Sequence, residues 1–279
     1  MPVSLLLCEG AGGSPDIRVL RSILVGINLT LEPSGSKYGL GAKIRSYREV
    51  IRNSVIAGIR DSDFDRDHVP PTGNLREWRI ENDSIWLGWY WERIEIENYL
   101  TDPIVVEHAL GTNTLDMNAY RVALQDSAES IAEYMAARMA LSRSRIQFSP
   151  LPNHWGEAGG LKGHTFPAER NETVCRSQIG IIVADYSQRI QESEVLERFE
   201  AMLLYHRPGG SHFQHPEICF SGKDILCGMR TALEGMGFAS PGVFRERVLK
   251  GIETSPDDVW TWLPEWDELR NQIISASSN

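Results

Sequence analysis

Residues 55–67 read VIAGIRDSDFDRD, an apolar run that changes abruptly into alternating aspartates. A short, continuous apolar run is typical of a strand buried on both faces of a parallel sheet. The aspartates that follow occupy every second position, namely Asp61, Asp63, Asp65 and Asp67. Side chains two residues apart on an extended chain point the same way. The stretch therefore predicts a buried strand that ends in a cation-binding group of carboxylates.

A second apolar run, VSLLLCEG at residues 3–10, ends at Glu9 and predicts the first central strand. DIRVLRSILVG, residues 16–26, has helical spacing of its apolar positions, and residues 33–42 are rich in glycine and predict a loop. KIRSYREVIRNS, residues 43–54, predicts a second helix whose apolar face is Ile44, Tyr47, Val50 and Ile51. Alternation of strands and helices predicts an α/β fold, a mostly parallel sheet flanked by helices, with its site at the carboxyl ends of the strands.

Composition sets limits on partners and compartment. The chain has 279 residues, 42% of them hydrophobic, and a formal net charge of −10, which disfavours general adhesion to nucleic acid or anionic lipid. Its four cysteines form no CxxC pair, and no apolar run approaches the length of a membrane helix. We therefore expect a soluble, cytoplasmic protein that does not bind membranes and whose contacts with polyanions depend on local basic patches.

The order of LLLCEG, GIRDSDFD, EIENYL and SGKDIL resembles the TOPRIM domain of OLD-like nucleases. The resemblance runs from about residue 3 to about residue 228 and is closest to the TOPRIM effectors of the bacterial PARIS anti-phage system. It implies a Rossmann-like TOPRIM fold and a metal-dependent nuclease whose substrate is RNA, tRNA included. It also implies an ABC-type ATPase partner that restrains toxicity until infection.

The resemblance also implies roles for individual residues. Glu9, Asp61 and Asp63 match the family's metal-binding and catalytic carboxylates, and Lys223 matches its late catalytic lysine. Two further metal ligands are implied at Asp16 and Glu97, although Asp16 lies farther from Glu9 than in the common EGxxD form. Carboxylate oxygens suit Mg²⁺ or Mn²⁺, so either ion is the expected cofactor.

A nuclease must also hold a polyanion, and two basic segments are candidates. The first supplies the predicted nucleic-acid-binding residues, which are Lys37, Lys43, Arg45, Arg48 and Arg52. The second supplies Arg138, Arg143 and Arg145. Basic side chains on a helix contact phosphates without reading sequence, but solvated helix faces have the same composition. Because such patches are local on an acidic body, the active form is expected to be a homodimer.

Residues 1–120 are predicted to form the TOPRIM core, and residues 121–279 a mainly helical extension that completes the nuclease domain and carries Lys223. The helical runs SAESIAEYMAARMAL and SEVLERFEAMLL support this division because both have apolar residues at helical spacing.

Several alternatives stay open. The aspartates fit an acidic turn, since Asp favours turns. Trp86, Trp89 and Trp91 are expected to pack in the core or an interface rather than to stack on bases. A histidine-rich loop, with His206, His212, His215 and Cys219, lacks a common zinc spacing and is interpreted as an ordinary loop. The chain as a whole also fits an inactive TOPRIM-like module that regulates a partner ATPase, or a phosphoesterase or primase-like enzyme acting on nucleotides.

Overall fold

The computed structural model describes residues 2–35, 37–51, 54–64, 72–80, 85–146, 171–188 and 190–276. Asp65, Asp67 and Arg52 lie outside these residues, and the side chains of Lys37 and Arg145 are not described either. The statements below concern the described part of the chain.

A single sheet of five strands organises the amino-terminal half. Its strands are β1 (Val3–Cys8), β2 (Thr30–Pro33), β3 (Val55–Arg60), β4 (Arg76–Ile80) and β5 (Ile85–Tyr90). They lie in the order β2-β1-β3-β5-β4, and all neighbours are parallel except β4, which pairs antiparallel with β5 at one edge. The predicted α/β fold with a mostly parallel sheet flanked by helices is confirmed, and the strands predicted around residues 3–10 and 54–63 are its neighbouring inner strands β1 and β3.

Helices cover both faces of the sheet and make up nearly all of the carboxyl-terminal half. They are α1 (Pro15–Ile23), α2 (Lys37–Val50), α3 (Ile96–Leu100), α4 (Pro103–Leu110), α5 (Met117–Ile146), α6 (Glu172–Gln188), α7 (Glu192–His206), α8 (Pro216–Cys219), α9 (Gly222–Gly228), α10 (Arg230–Gly235), α11 (Pro241–Thr254) and α12 (Pro264–Ser275). A short 3₁₀ helix, Val259–Thr261, precedes α12. In the described ranges, none of these helices combines the length and apolarity needed to cross a membrane.

Helix α2 corrects two predictions. It begins at Lys37, so most of the predicted loop at residues 33–42 is helical. Its inner face is formed by Leu40, Ile44 and Tyr47, whereas Val50 is 78% exposed. Glycines in the first turns made this segment resemble a loop, but Gly41 packs closely against the Trp78 ring, 3.3 Å from the position a Cβ would take.

Strand β5 explains the tryptophan-rich stretch. Trp89 and Trp91 are buried in the main core, and Trp86 packs against that core, as predicted for core residues. Gly88 has a φ of 140° and lies directly beside Gly58 on β3, where any Cβ would clash with the Gly58 backbone. The glycine therefore permits β5 to pair with β3 and brings the carboxyl end of β5 next to Asp61.

The largest hydrophobic core of the described residues lies between one face of the sheet and a layer made of α1 and the helices that follow residue 90. It includes Leu6 and Ala57 from the sheet, Tyr120 from α5, and Phe244 and Trp266 from α11 and α12. Residue 120 lies within α5 and within this core. The division into residues 1–120 and 121–279 stays a prediction, since side chains from both segments pack in one core.

Candidate functional site

Two of the predicted carboxylates meet at the carboxyl ends of neighbouring strands. Glu9 follows β1 and Asp61 follows β3, and the backbone N–H of Asp61 donates to Glu9 Oε1 at 3.3 Å. Asp63 has a φ of 45°, a left-handed conformation that Asp tolerates better than most residues. Its N–H donates to the carbonyl of Ile94 at 2.8 Å. The aspartate turn is therefore held against the connection that follows β5.

Asp61 is the most constrained of these carboxylates. Its Oδ1 is buried and has no hydrogen-bond partner among the described residues. Burial raises the pKa of Asp61 well above its ordinary value, and neighbouring carboxylates, Asp16 and Glu9 first among them, raise it further. A buried carboxylate oxygen without a partner is costly unless a proton or a cation neutralises it. Asp61 Oδ1 can therefore accept a proton or a cation.

Asp16 belongs to the same acidic group despite its wide spacing from Glu9. It lies in the first turn of α1, and its Oδ2 is 3.3 Å from the position that a Cβ on Gly10 would take. Burial raises the pKa of Asp16, and the charge of Glu97 adds to the increase, while Lys223 opposes it. The loop between Glu9 and Asp16 therefore brings Asp16 close to the carboxyl ends of the strands.

Lys223, the predicted catalytic lysine, is held by two glutamates. Lys223 Nζ lies 2.5 Å from Glu95 Oε2 and 3.1 Å from Glu97 Oε2. The Lys223 backbone N–H and the Ser221 hydroxyl each donate to Glu95 Oε1 at 2.8 Å. Burial alone would lower the pKa of Lys223, but the two carboxylates outweigh it and raise the pKa above its ordinary value. Lys223 is therefore a firmly protonated cation.

Glu95, two residues before Glu97, is a site residue whose role the sequence motifs did not indicate. Its partners, Ser221 and Lys223, lie more than 120 residues later, so only tertiary packing reveals its role. Glu97 is buried inside α3. The next helix, α4, is capped by Asp102, whose side chain accepts from the N–H groups of Ile104 and Val105. Arg245 on α11, another residue that sequence reasoning missed, lies 3.5 Å from Glu97 Oε1.

Asn98 binds residues 217–223, called the Lys223 segment below, to α3 through hydrogen bonds. Its side-chain Oδ1 accepts from the N–H groups of Glu95 and Gly222, each at 3.1 Å. Its Nδ2 donates to the carbonyls of Glu217, at 3.0 Å, and Phe220, at 2.5 Å. Because Asn98 is fully buried, these four bonds fix the position of the segment.

Helix α5 contacts both halves of the site through Arg138. Its guanidinium forms an ion pair with Asp224, next to Lys223, and lies 4.6 Å from the centre of the Phe64 ring, next to Asp63. Arg138, predicted as a phosphate contact, therefore has protein partners in this structure. Arg143 also has a partner of its own.

The predicted basic patch on α2 is only partly exposed. Lys43 Nζ pairs with Glu32 at 2.8 Å, and Arg48 donates to the carbonyls of Ile56 and Trp86 at 2.9 and 2.6 Å. Arg45 is exposed. The Lys37 side chain and Arg52 lie outside the described residues. Nucleic-acid binding by these five residues stays a prediction, in which Arg45 is the best-placed member.

The histidines of the histidine-rich loop contact other protein groups in this structure. His206 and His212 are buried, with Nε2 and Nδ1 3.3 Å apart, whereas His215 lies 3.7 Å from Glu217. Across the described ranges, no three His, Cys, Asp or Glu side chains are arranged closely enough to hold a metal ion. The oxygen-only chemistry of Glu9, Asp61 and Asp63 fits Mg²⁺ or Mn²⁺, but their coordination of one ion stays a prediction.

Comparison with known proteins does not assign the chain to a class: it matches no family profile and no curated protein. The site must therefore be interpreted from its own chemistry.

Proposed function

We propose that this protein is a divalent-metal-dependent nuclease that hydrolyses phosphodiester bonds, with RNA such as tRNA as its substrate. The observation that carries the proposal is the buried, unpartnered Oδ1 of Asp61, which lies beside Glu9 where two parallel strands end. Carboxyl ends of parallel strands are the usual place for sites in such sheets. A cation there offsets the carboxylate charge that raises the pKa of Asp61.

In this proposal the site residues have three roles: binding the metal, contacting the phosphate and positioning Lys223. Glu9, Asp61 and Asp63 bind Mg²⁺ or Mn²⁺, and Asp16 adds negative charge that favours the ion. A bound divalent ion activates water and stabilises the charge on attacking and leaving oxygens. Lys223 donates to a phosphate oxygen and offsets the negative charge that develops during transfer. Glu95 and Asn98 position Lys223 without contacting the substrate.

The biological setting rests on the resemblance to TOPRIM effectors. We propose that the nuclease is the toxic effector of a bacterial anti-phage system and that an ABC-type ATPase restrains it. The active form is proposed to be a cytoplasmic homodimer, in which two chains present their exposed basic residues to one folded RNA. Light scattering on the free chain, with cleavage measured across protein concentration, tests the dimer, and a monomer of constant specific activity would contradict it.

The central test is cleavage by the purified chain. Labelled tRNA, mRNA and DNA are incubated with Mg²⁺, Mn²⁺ or EDTA, and products are separated by size. We expect metal-dependent cleavage that Glu9→Gln and Asp61→Asn each abolish. Glu129→Gln, which neutralises an exposed carboxylate on α5, is the matched control and should cleave at the wild-type rate. Cleavage that survives in both site variants would contradict the assignment.

One observation favours a second candidate, an inactive module that regulates a partner ATPase. The described residues contain no group of three side chains arranged to hold a metal. This candidate predicts no cleavage of any nucleic acid with either metal, together with altered ATP hydrolysis when the partner is added.

A further inference from the structure

Arg138 contacts two separate parts of the candidate site from the side of α5. Its guanidinium lies 4.6 Å from the centre of the ring of Phe64, the last residue of the aspartate turn, residues 61–64. The same guanidinium forms an ion pair with Asp224, which directly follows the Lys223 segment. One side chain therefore links the turn that carries two of the predicted metal ligands to the segment that carries the predicted catalytic lysine.

Phe64 is anchored between two helices. Its ring packs against a cluster that includes Met139 from α5 and Met202 from α7, and also against the main core. On its other side the aspartate turn is held by the buried hydroxyl of Ser62, which donates to the carbonyl of Arg93 at 2.7 Å. The turn is therefore held on one side by the connection that follows β5 and on the other by α5 and α7.

An arginine suits this position better than a lysine. A guanidinium is planar, so its face stacks on an aromatic ring while its edge donates to a carboxylate. An ammonium has no such face and cannot form both contacts in the same way. The side chains of Arg138 and Asp224 are 34% and 23% exposed, so their ion pair is partly shielded from solvent. A phosphate bound to this guanidinium would compete with Asp224 for the same donors.

We propose that Arg138 is a positioning residue, which fixes the aspartate turn relative to the Lys223 segment and does not contact the substrate. This inference rests on the proposed function and adds to it a residue that acts through Phe64 and Asp224. The carboxylates of the turn and the ammonium of Lys223 must act on one phosphate, so their separation has to be set before the substrate binds.

Kinetics distinguish positioning from phosphate binding. Arg138→Met should lower kcat for RNA cleavage about tenfold to a hundredfold, because a displacement of about 1 Å within a site has an effect of that size. RNA affinity, measured by fluorescence anisotropy without metal, should change by less than about twofold. Arg138→Lys should stay slower than the wild type although it keeps the charge. Arg121→Met removes an exposed arginine from the same helix, so it is the matched control and should cleave at the wild-type rate.

Two milder variants test each contact by itself. Phe64→Leu removes the ring but keeps an apolar side chain, and Asp224→Asn removes the ion pair but keeps the size of the side chain. Each should lower kcat in the wild-type background and lower it much less in the Arg138→Met background, because the shared interaction has already gone. Losses that simply multiply in the double variants would contradict a role through Phe64 and Asp224.

Hydrogen exchange tests the link without metal or cleavage. The N–H groups of Asp63 and Lys223 are held by hydrogen bonds to the carbonyl of Ile94 and to Glu95. In Arg138→Met the amides of both segments should exchange faster than in the wild type, whereas Arg121→Met should match the wild type at both. Unchanged exchange at either segment would overturn the link.

The outcomes distinguish this inference from the proposed function. If Arg138→Met weakens RNA binding at unchanged kcat and Arg138→Lys restores the binding, Arg138 contacts phosphate, so the inference is overturned while the nuclease assignment stands. If the wild type cleaves no nucleic acid, the proposed function fails and the catalytic role of Arg138 fails with it, and exchange alone then decides whether Arg138 links the two segments. Slower cleavage by Arg138→Met, with normal RNA binding and faster exchange at both segments, supports the inference.

Discussion

Replacing Asn98 with alanine tests whether one buried amide holds the site together. The change leaves the N–H groups of Glu95 and Gly222 without their acceptor and removes a donor from the carbonyls of Glu217 and Phe220. A buried polar group that loses its partner costs about 1–3 kcal/mol. Two such N–H groups together cost about 2–6 kcal/mol, so we expect the unfolding free energy to fall by about 4 kcal/mol.

Chemical denaturation followed by tryptophan fluorescence measures this loss directly. The chain has eight tryptophans, and Trp89, Trp91 and Trp266 are buried, so unfolding should change the signal strongly. Asn118→Ala is the control, because that asparagine is exposed and its replacement should change stability by less than about 0.5 kcal/mol. A loss below about 1 kcal/mol for Asn98→Ala would show that water or backbone adjustment replaces the amide, and the argument would fail.

Three further predictions concern charge. Asp61→Asn should stabilise the metal-free protein at pH 8, because the raised pKa makes the wild-type carboxylate destabilising there. This gain in stability should shrink as the pH falls toward the ordinary aspartate pKa, and Mg²⁺ should raise the melting temperature of the wild type only. Burial raises the pKa of Glu265 from 4.5 to about 7, so wild type should lose about 3 kcal/mol relative to Glu265→Gln as the pH rises through that window, and equal pH slopes in denaturation would contradict this. Arg48→Ala should cost about 1–3 kcal/mol of unfolding free energy, because it removes half-buried hydrogen bonds to two carbonyls. Arg45→Ala should leave stability unchanged and weaken RNA binding, and the opposite pattern in melts and salt titrations would exchange the two roles.

The central strands could be predicted because their signal is local. β1 and β3 are short runs of apolar residues with both faces covered, which few other structures require. β2 could not be predicted, since its four residues include Glu32 and Pro33 and are only partly buried. The start of α2 was missed for a different reason, because glycines that permit close packing against Trp78 also resemble the glycines of a loop.

In the candidate site, too, the residues placed by local sequence signals could be predicted and those placed by tertiary packing could not. Glu9 and Asp61 could be predicted to meet, because they follow neighbouring parallel strands and register alone places them side by side. Glu95 and Arg245 could not, because their positions depend on α9 and α11 packing against α3. Nor could the sequence show that Arg48 is committed to two backbone carbonyls, since a buried arginine and a solvated one have the same helical spacing.

The contacts that position the backbone of the Lys223 segment do not involve the ammonium, so charge and position can be tested separately. Gly222 lies so close to α3 that a Cβ would clash with the backbone of Asn98, and its N–H donates to the Asn98 side chain. The Ser221 hydroxyl and the Lys223 N–H add two bonds to Glu95 that do not involve the ammonium. Removing the ammonium therefore leaves the backbone attachments in place, whereas removing the Asn98 amide weakens them while the ammonium stays. Lys223→Met should also cost stability, because Glu95 and Glu97 lose their contact with the ammonium. A cleavage defect that Lys223→Arg restores only while Asn98 is present would assign the charge to Lys223 and the positioning to Asn98.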